Sequence, residues 1–269
     1  MLRLCQRPGA SCGACCGLYN RSDLSRTAVR EGLRRSTLLL ARTPRTPEAF
    51  RAAAAQRARE LPAPVFPSIR ICPLLGFLDA AEERVGCLAH PEVTGGVDLR
   101  SCGVYDVLTC DAFLCPSHAR LREEEAALVA GAARGDFHLY GLVVTDAPFV
   151  HAVVGALAER TGLRPAPADL RHEPFRRALR DLLALKEELE PGSEGVFGAF
   201  RARPAEGAPS ESGGPEATPE ERVLEALGAD AGSGNDEETL RAELAVRLTR
   251  CAAALADAAR APRSRDTDL

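Results

Sequence analysis

The sequence predicts a mainly α-helical protein with a small, irregular, cysteine-rich domain that contains short strands. Cysteine placement is the first reason. Nine of the ten cysteines, at positions 5, 12, 15, 16, 72, 87, 102, 110 and 115, fall in the first 115 of 269 residues, and only Cys251 lies beyond them. The second reason is periodicity: between and after these cysteines, apolar residues recur at helical spacing behind good N-caps. The third is composition. Residues 61–115 are rich in Pro, Gly and Cys and too poor in apolar side chains to build a large core alone.

The first helix is expected from Asp23 or Ser25, either of which can cap it, to about Ala41, with Leu24, Ala28, Val29, Leu33 and Leu40 on one face. Thr46-Pro47-Glu48 is a cap followed by a first-turn proline, and this second helix ends before Pro62. Strand-like pieces follow at 68–72 and 84–89. Ser117 is read as the cap of a helix running to about Arg134. "DFHLYGLVVTD" is apolar and short, a strand or the start of a buried helix, and periodicity leaves both open. Asp146 caps a helix to about Arg160, closed by Gly162. A longer helix is expected over 173–190, with Phe175, Leu179, Leu182 and Leu189 in one stripe.

Residues 191–217 are Gly, Pro, Ser and Glu and read as a flexible linker. Thr218-Pro219-Glu220-Glu221 is a capping box whose helix stops at Gly228. Asn235 and Glu238 start a last helix to about Ala261, striped by Leu240, Leu244, Leu248, Cys251 and Leu255. The expected domains are therefore a cysteine cluster at 1–120, a helical layer at 121–190, the linker, a helical appendage at 218–262 and a disordered tail at 263–269.

Composition narrows the function classes. With 34 basic and 38 acidic residues, the net charge of −4 gives no sign of a nucleic-acid or anionic-membrane binder. Every basic residue except Lys186 is arginine, a bias that fits GC-rich codon usage. No run reaches the ~18 apolar residues of a membrane span, and "MLRLCQRPGASCG" lacks the apolar core of a secretory signal. The expectation is a cytoplasmic protein with reduced thiols. In that compartment, ten cysteines point to metal ligands or redox chemistry before disulfides.

Cys12-x2-Cys15 lets two thiolates reach one metal from a tight turn, with Gly13 as the flexible residue. Further cysteines sit in turn-rich contexts: "RICPLLGF", "RVGCLAHP", "LRSCGVYD" and "LTCDAFLCPSH". Cys15 and Cys16 are neighbours, and successive side chains of an extended chain point apart. They can serve two sites, or one can bind while the other packs. A metal would supply the staple that the cysteine-rich segment needs, which makes it a metal-stabilised domain.

These motifs, in the order "CGACC", "CPLL", "GCLAHP", R-x-C-G-x-Y and C-x4-C, resemble the YkgJ-like cysteine-cluster family, described as a zinc- or iron-chelating domain. The resemblance covers about residues 5–116. It implies a small metal-binding domain of a bacterial cytoplasmic protein, often treated as iron–sulfur (4Fe-4S). A related cluster in flagellin lysine methylases keeps an enzyme in view. The family's opening is C-x2-C-x2-C-C. Cys12, Cys15 and Cys16 match its last three cysteines, Gly9 stands where the first belongs, and Cys5 lies four residues earlier.

The expected ligands are Cys12, Cys15, Cys16, Cys72, Cys87, Cys102, Cys110 and Cys115. Iron–sulfur is expected before zinc, because only one CxxC is present and a cluster tolerates scattered thiolates better than a single ion does. Three readings follow. One is a protein holding one or two iron–sulfur clusters in a structural, electron-transfer or sensory role. Another is a modifying enzyme with a cofactor pocket that includes residues 120–190. The last is a zinc-stapled interaction module whose C-terminal helices dock a protein partner. His90 can be a ligand or can hydrogen-bond its turn. His118 suits a helix start; His138, His151 and His172 suit surface or packed positions; Cys251, Tyr105 and Tyr140 suit packing.

Overall fold

The structure is a computed structural model and describes residues 3–67, 69–188, 217–227 and 237–261. The expected linker (except Ala217), Gly228, Asn235, Leu189 and the tail at 263–269 lie outside the described residues. Those that are described form a mainly helical protein with two small two-stranded sheets.

The chain opens with a hairpin of β1 (Gln6–Arg7) and β2 (Ala10–Ser11), in which Arg7 faces Ala10 across Pro8-Gly9. Proline followed by a glycine at φ 73° is the residue pair of a tight turn. A 3₁₀ turn over Ala14–Cys16 follows. Helix α1 (Arg26–Ala41) starts at Ser25, whose hydroxyl accepts the Ala28 amide at 3.3 Å. Helix α2 (Pro47–Ala58) starts at Thr46 in the same way, with Pro47 in its first turn. Buried Arg57 joins the pair, donating to the Ser36 hydroxyl (3.0 Å) and the Gly32 carbonyl (2.9 Å) of α1.

The second sheet pairs β3 (Leu75–Phe77) antiparallel with β4 (Val85–Cys87). β4 falls within the expected 84–89. No strand forms at the described residues 69–72, because Asn20 organises that segment as a turn. Its side-chain amide donates to the carbonyls of Phe66 (2.9 Å) and Ile69 (2.6 Å), and its oxygen accepts the Phe66 amide. Short helices α3 (Pro91–Thr94) and α4 (Val107–Ala112) complete the cysteine-rich part.

The helix expected from Ser117 divides into α5 (Ser117–Arg120) and α6 (Glu123–Ala132). Ser117 does not cap it. Its fully buried hydroxyl donates to the Thr145 carbonyl at 2.8 Å, and Leu121 is extended. The carboxylate of Glu125 then accepts the Arg122 amide and opens α6. The ambiguous apolar segment is helix α7 (Phe137–Val144), capped by Asp136 and buried at every residue. A helix that is apolar around its whole circumference belongs in an interior. Helix α8 (Ala147–Thr161) runs from the Asp146 cap to Gly162 at φ 70°, as expected. The long helix expected at 173 breaks at Ala184 into α9 (Glu173–Leu183) and α10 (Leu185–Glu188). Helix α11 (Pro219–Leu227) begins with the Thr218–Glu221 capping box, and α12 (Glu237–Arg260) ends the described chain.

Two apolar clusters hold these elements. The larger takes in the hairpin, one face of α1, helices α6 to α9, and α11 and α12. The α12 stripe of Leu240, Leu244, Leu248, Cys251 and Leu255 is buried within it, and α12 packs on α8 and α9. The smaller cluster joins α1, α2, Leu74, Leu88, Leu99 and Cys102. No described helix is long and apolar enough alone to cross a membrane. Helices α7 and α8 pass such a test only as a pair bent by 90°, and their apolar residues lie mainly in the larger core.

Gly141 of α7 lies against the ring of fully buried Tyr19, and a Cβ there would overlap the Tyr19 hydroxyl. Alanine normally favours a helix interior over glycine by ~1 kcal/mol. Here Gly141→Ala is expected to do the reverse, destabilising by about 1–3 kcal/mol through overpacking. The check is a urea midpoint that falls with an unchanged m-value.

Candidate metal centre

The Pro8-Gly9 turn brings Cys5 beside Cys12. The Cys12 amide donates to the Cys5 carbonyl at 3.1 Å and extends the hairpin ladder by one pair. The 3₁₀ turn then sets Cys15 and Cys16 at a corner, with the Cys16 amide on the Gly13 carbonyl at 3.1 Å. Gly17, at φ 78°, is the residue that needs glycine's freedom. A Cβ there would press on the Arg70 carbonyl oxygen and come within 2.8 Å of the Ile71 Cα. Gly13 has φ −113°, so the turn asks less of it. Because Gly17 permits this approach, the Cys72 amide reaches the Cys16 carbonyl at 2.8 Å.

Cys87 ends β4 opposite Leu75, whose amide donates to the Cys72 carbonyl at 3.4 Å. Cys110 sits on α4, a helix with no buried residue. What holds α4 is its Asp106 cap on the Thr109 amide (2.7 Å), together with Asp111, whose carboxylate pairs with Arg100 and whose carbonyl accepts from Arg3. Cys115 precedes α5, and its carbonyl accepts the His118 amide at 2.8 Å.

Cys12 accepts the amide of Ala14 at 3.3 Å, and the backbone amides of Leu74, Ala89 and Ser117 favour ionisation of Cys72, Cys87 and Cys115. Such bonds favour the thiolate and orient the sulfur. Burial opposes them. It pushes the thiols of Cys5, Cys72, Cys110 and Cys115 up, Cys12 well up, and Cys87 up to about 12. Cys15 is the exception, held down to about 7 because the Cys16 thiol hydrogen-bonds to it, and Cys16 is raised well up by the same bond and by burial. Two arginines favour ionisation: Arg3 at Cys5 and Cys15, and Arg100 at Cys87 and Cys110.

Of the expected ligands, Cys102 stands apart. It is buried in the smaller core and donates to the Pro47 carbonyl at 3.5 Å. Cys5, outside the expected set, stands beside Cys12; its signal was the Pro8-Gly9 turn. Among the described residues, no three Cys, His, Asp or Glu side chains are gathered closely enough to hold one metal ion. His90 caps α3, its Nδ1 accepting the Glu92 amide at 3.3 Å. His138 is buried between the Leu24 carbonyl (2.9 Å) and Glu187 (3.1 Å), and Cys251 lies in the larger core. In the helical layer, a groove of about 320 Å³ lies between α9 and α12. Its Glu173, Arg177, Asp181 and Arg250 pair with one another.

A thiolate is the reactive form of cysteine. In metal-free protein, the Cys15 thiolate fraction rises as pH increases through about 7, while the burial-raised thiols stay protonated there. Iodoacetamide is therefore expected to modify Cys15 first between pH 6 and 8 (roughly the span of that titration), as read by peptide mass spectrometry. Equal labelling of Cys12 or Cys87 would contradict this electrostatic picture.

No protein-family model matches the chain, and its comparison with curated proteins and with solved structures gives no match.

Proposed function

We propose that the chain is a metal-binding cysteine-cluster protein that holds iron–sulfur through the thiolates of its N-terminal part. The observation that carries this reading is the Ala14 amide on the Cys12 sulfur (3.3 Å), in the hairpin that sets Cys12 beside Cys5, with backbone amides also favouring the thiolate at Cys72, Cys87 and Cys115.

Further observations support a cluster in preference to one zinc ion. A unit of iron and sulfide is wider than an ion and tolerates the scattered placement of these cysteines along the sequence better than a single ion does. Arg3 and Arg100 set positive charge beside the thiols, as the net negative charge of a thiolate-held cluster requires. Cys5 takes the place in the ligand set first given to Cys102. Cys12 is buried and the other proposed ligands are partly buried. When bound, such a cluster supplies one-electron chemistry.

It would also act structurally. Helix α4 buries no side chain, and Leu108, Phe113 and Leu114 around it are exposed. A bond from Cys110 to a cluster would fix this segment to the Cys15–Cys16 corner.

The test is anaerobic purification followed by metal analysis and a visible spectrum. Brown protein, with a broad band near ~400 nm and iron matched by acid-labile sulfide, is expected. Colourless protein with stoichiometric zinc and no sulfide would overturn the cluster. Removing the iron is expected to raise amide hydrogen exchange over residues 69–116 more than in α8 and α9, whose buried faces are apolar and carry none of the proposed ligands.

A further inference from the structure

We propose that Cys5 and Cys12 form a thiol–disulfide switch: opposed across the first hairpin, they close to a disulfide under oxidant and reopen with reduced glutathione.

Strand register places the pair. β1 and β2 match Gln6 with Ser11 and Arg7 with Ala10. One rung further, Cys5 stands opposite Cys12, and the Cys12 amide donates to the Cys5 carbonyl at 3.1 Å. Cross-strand partners share a face of a sheet, and here that face carries Cys5, Arg7, Ala10 and Cys12. The last three are buried and Cys5 is partly buried. Opposed residues of this kind hold their Cα atoms ~5.5 Å apart, inside the range of about 4.4–6.8 Å that a disulfide spans. Their Cβ atoms need to draw in by about 1 Å. The end of the ladder is where that costs least. Cys5 leads directly into the turn in which the Gln6 amide donates to the Arg3 carbonyl at 3.4 Å.

Among the described residues, no other two cysteines stand opposite in either sheet; Cys87 faces Leu75. Cys15 and Cys16 are adjacent, and their Cα atoms, about 3.8 Å apart, are too close for an unstrained bridge. The surroundings of the hairpin pair suit exchange. Arg7 is the next residue on the same face, and its Nη1 is buried without a hydrogen-bond partner. Arg7, Cys5 and Cys12 all act on the one buried hydroxyl of Tyr140. A cation beside the pair favours the thiolate, the form that attacks a disulfide.

Glutathione disulfide serves as the oxidant. The two cysteine thiols give up two electrons and two protons, and an S–S bond forms between Cys5 and Cys12. The S–S bond of glutathione disulfide breaks, and two molecules of glutathione leave with those protons. The first attack comes from whichever thiolate meets the oxidant. Exchange among neighbouring thiols is reversible, so the pair that closes with least distortion accumulates. The switch goes beyond the metal reading and does not need it. Where both hold, closure withdraws two ligands, and oxidant and metal compete for the same sulfurs.

The experiment uses the full chain, freed of metal by a chelator and equilibrated anaerobically with glutathione disulfide and reduced glutathione. Free thiols are blocked with iodoacetamide, the protein is reduced, and the released thiols are labelled with N-ethylmaleimide. An intact mass about 2 Da lower before reduction, with no added glutathione, is expected. Two labels should follow, at Cys5 and Cys12, as located by peptide fragmentation. Cys12→Ser should lose both labels, and Cys16→Ser should keep them. No label, or labels on another pair such as Cys15 and Cys16, overturns the switch. If a variant fails to fold, as judged by circular dichroism, the label map of the unmodified protein still decides. Iron and sulfide are measured on separate anaerobic protein, so failure of the metal reading and failure of the switch are distinguishable.

Discussion

Two tyrosine hydroxyls set where the cysteines stand. Tyr19, just past the Cys15–Cys16 corner, donates to the Phe137 carbonyl at 2.9 Å. Tyr140, one turn along the same helix, donates to the Leu4 carbonyl at 2.7 Å, next to Cys5. Both rings are fully buried. A buried hydroxyl without a partner is costly, so each ring must stay where its carbonyl is. The hairpin and the corner are thereby fastened one turn apart on the N-terminal half of α7, and α7 is fixed by the apolar core around it. The cysteine-rich segment also packs Leu74, Leu88 and Leu99 against α1 and α2, and α7 adds these two polar ties.

Charge secures the same helix from the other side. Asp136 caps α7 through the Leu139 amide (3.1 Å), receives both ends of the Arg26 guanidinium (2.8 and 2.7 Å), and pairs with Arg180 (2.6 Å). Arg26 also holds Glu187 at 2.6 Å, and Glu187 faces His138. One nearly buried carboxylate thus joins α1, α7, α9 and α10. Burial alone would raise its pKa, but the Arg26 hydrogen bonds outweigh that and hold it below the usual carboxylate range. Losing one partner would leave the others buried and uncompensated, which is how a polar node in a core imposes a single arrangement.

Local signals were legible. Ser25, Thr46, Asp146 and Thr218 each cap the helix that their neighbours announced, because a cap is decided within three residues. Non-local competition was not legible. Ser117 looks like a cap, but a carbonyl 28 residues away takes its hydroxyl. The segment at 69–72 looks like a strand until Asn20 claims its carbonyl. In the candidate site, Cys102 resembles its companions in every local respect, and only the fold shows its thiol buried against the Pro47 carbonyl of α2. Cys5 shows the opposite case, since Pro8-Gly9 is a local turn signal that places it beside Cys12. Arg3 and Arg100 have no signature among so many arginines; only the fold shows which two stand by the thiols.

Why eight thiols can be wholly or partly buried here follows from their protonation. A neutral thiol packs as a small apolar group and costs little to bury, whereas a thiolate in the same place costs much more. Burial raises all of them but Cys15, so the metal-free protein meets mainly the smaller cost at neutral pH. The amide donors and the two arginines are in place before any thiolate forms. They contribute little while the thiols are neutral and become favourable once a thiolate forms beside them.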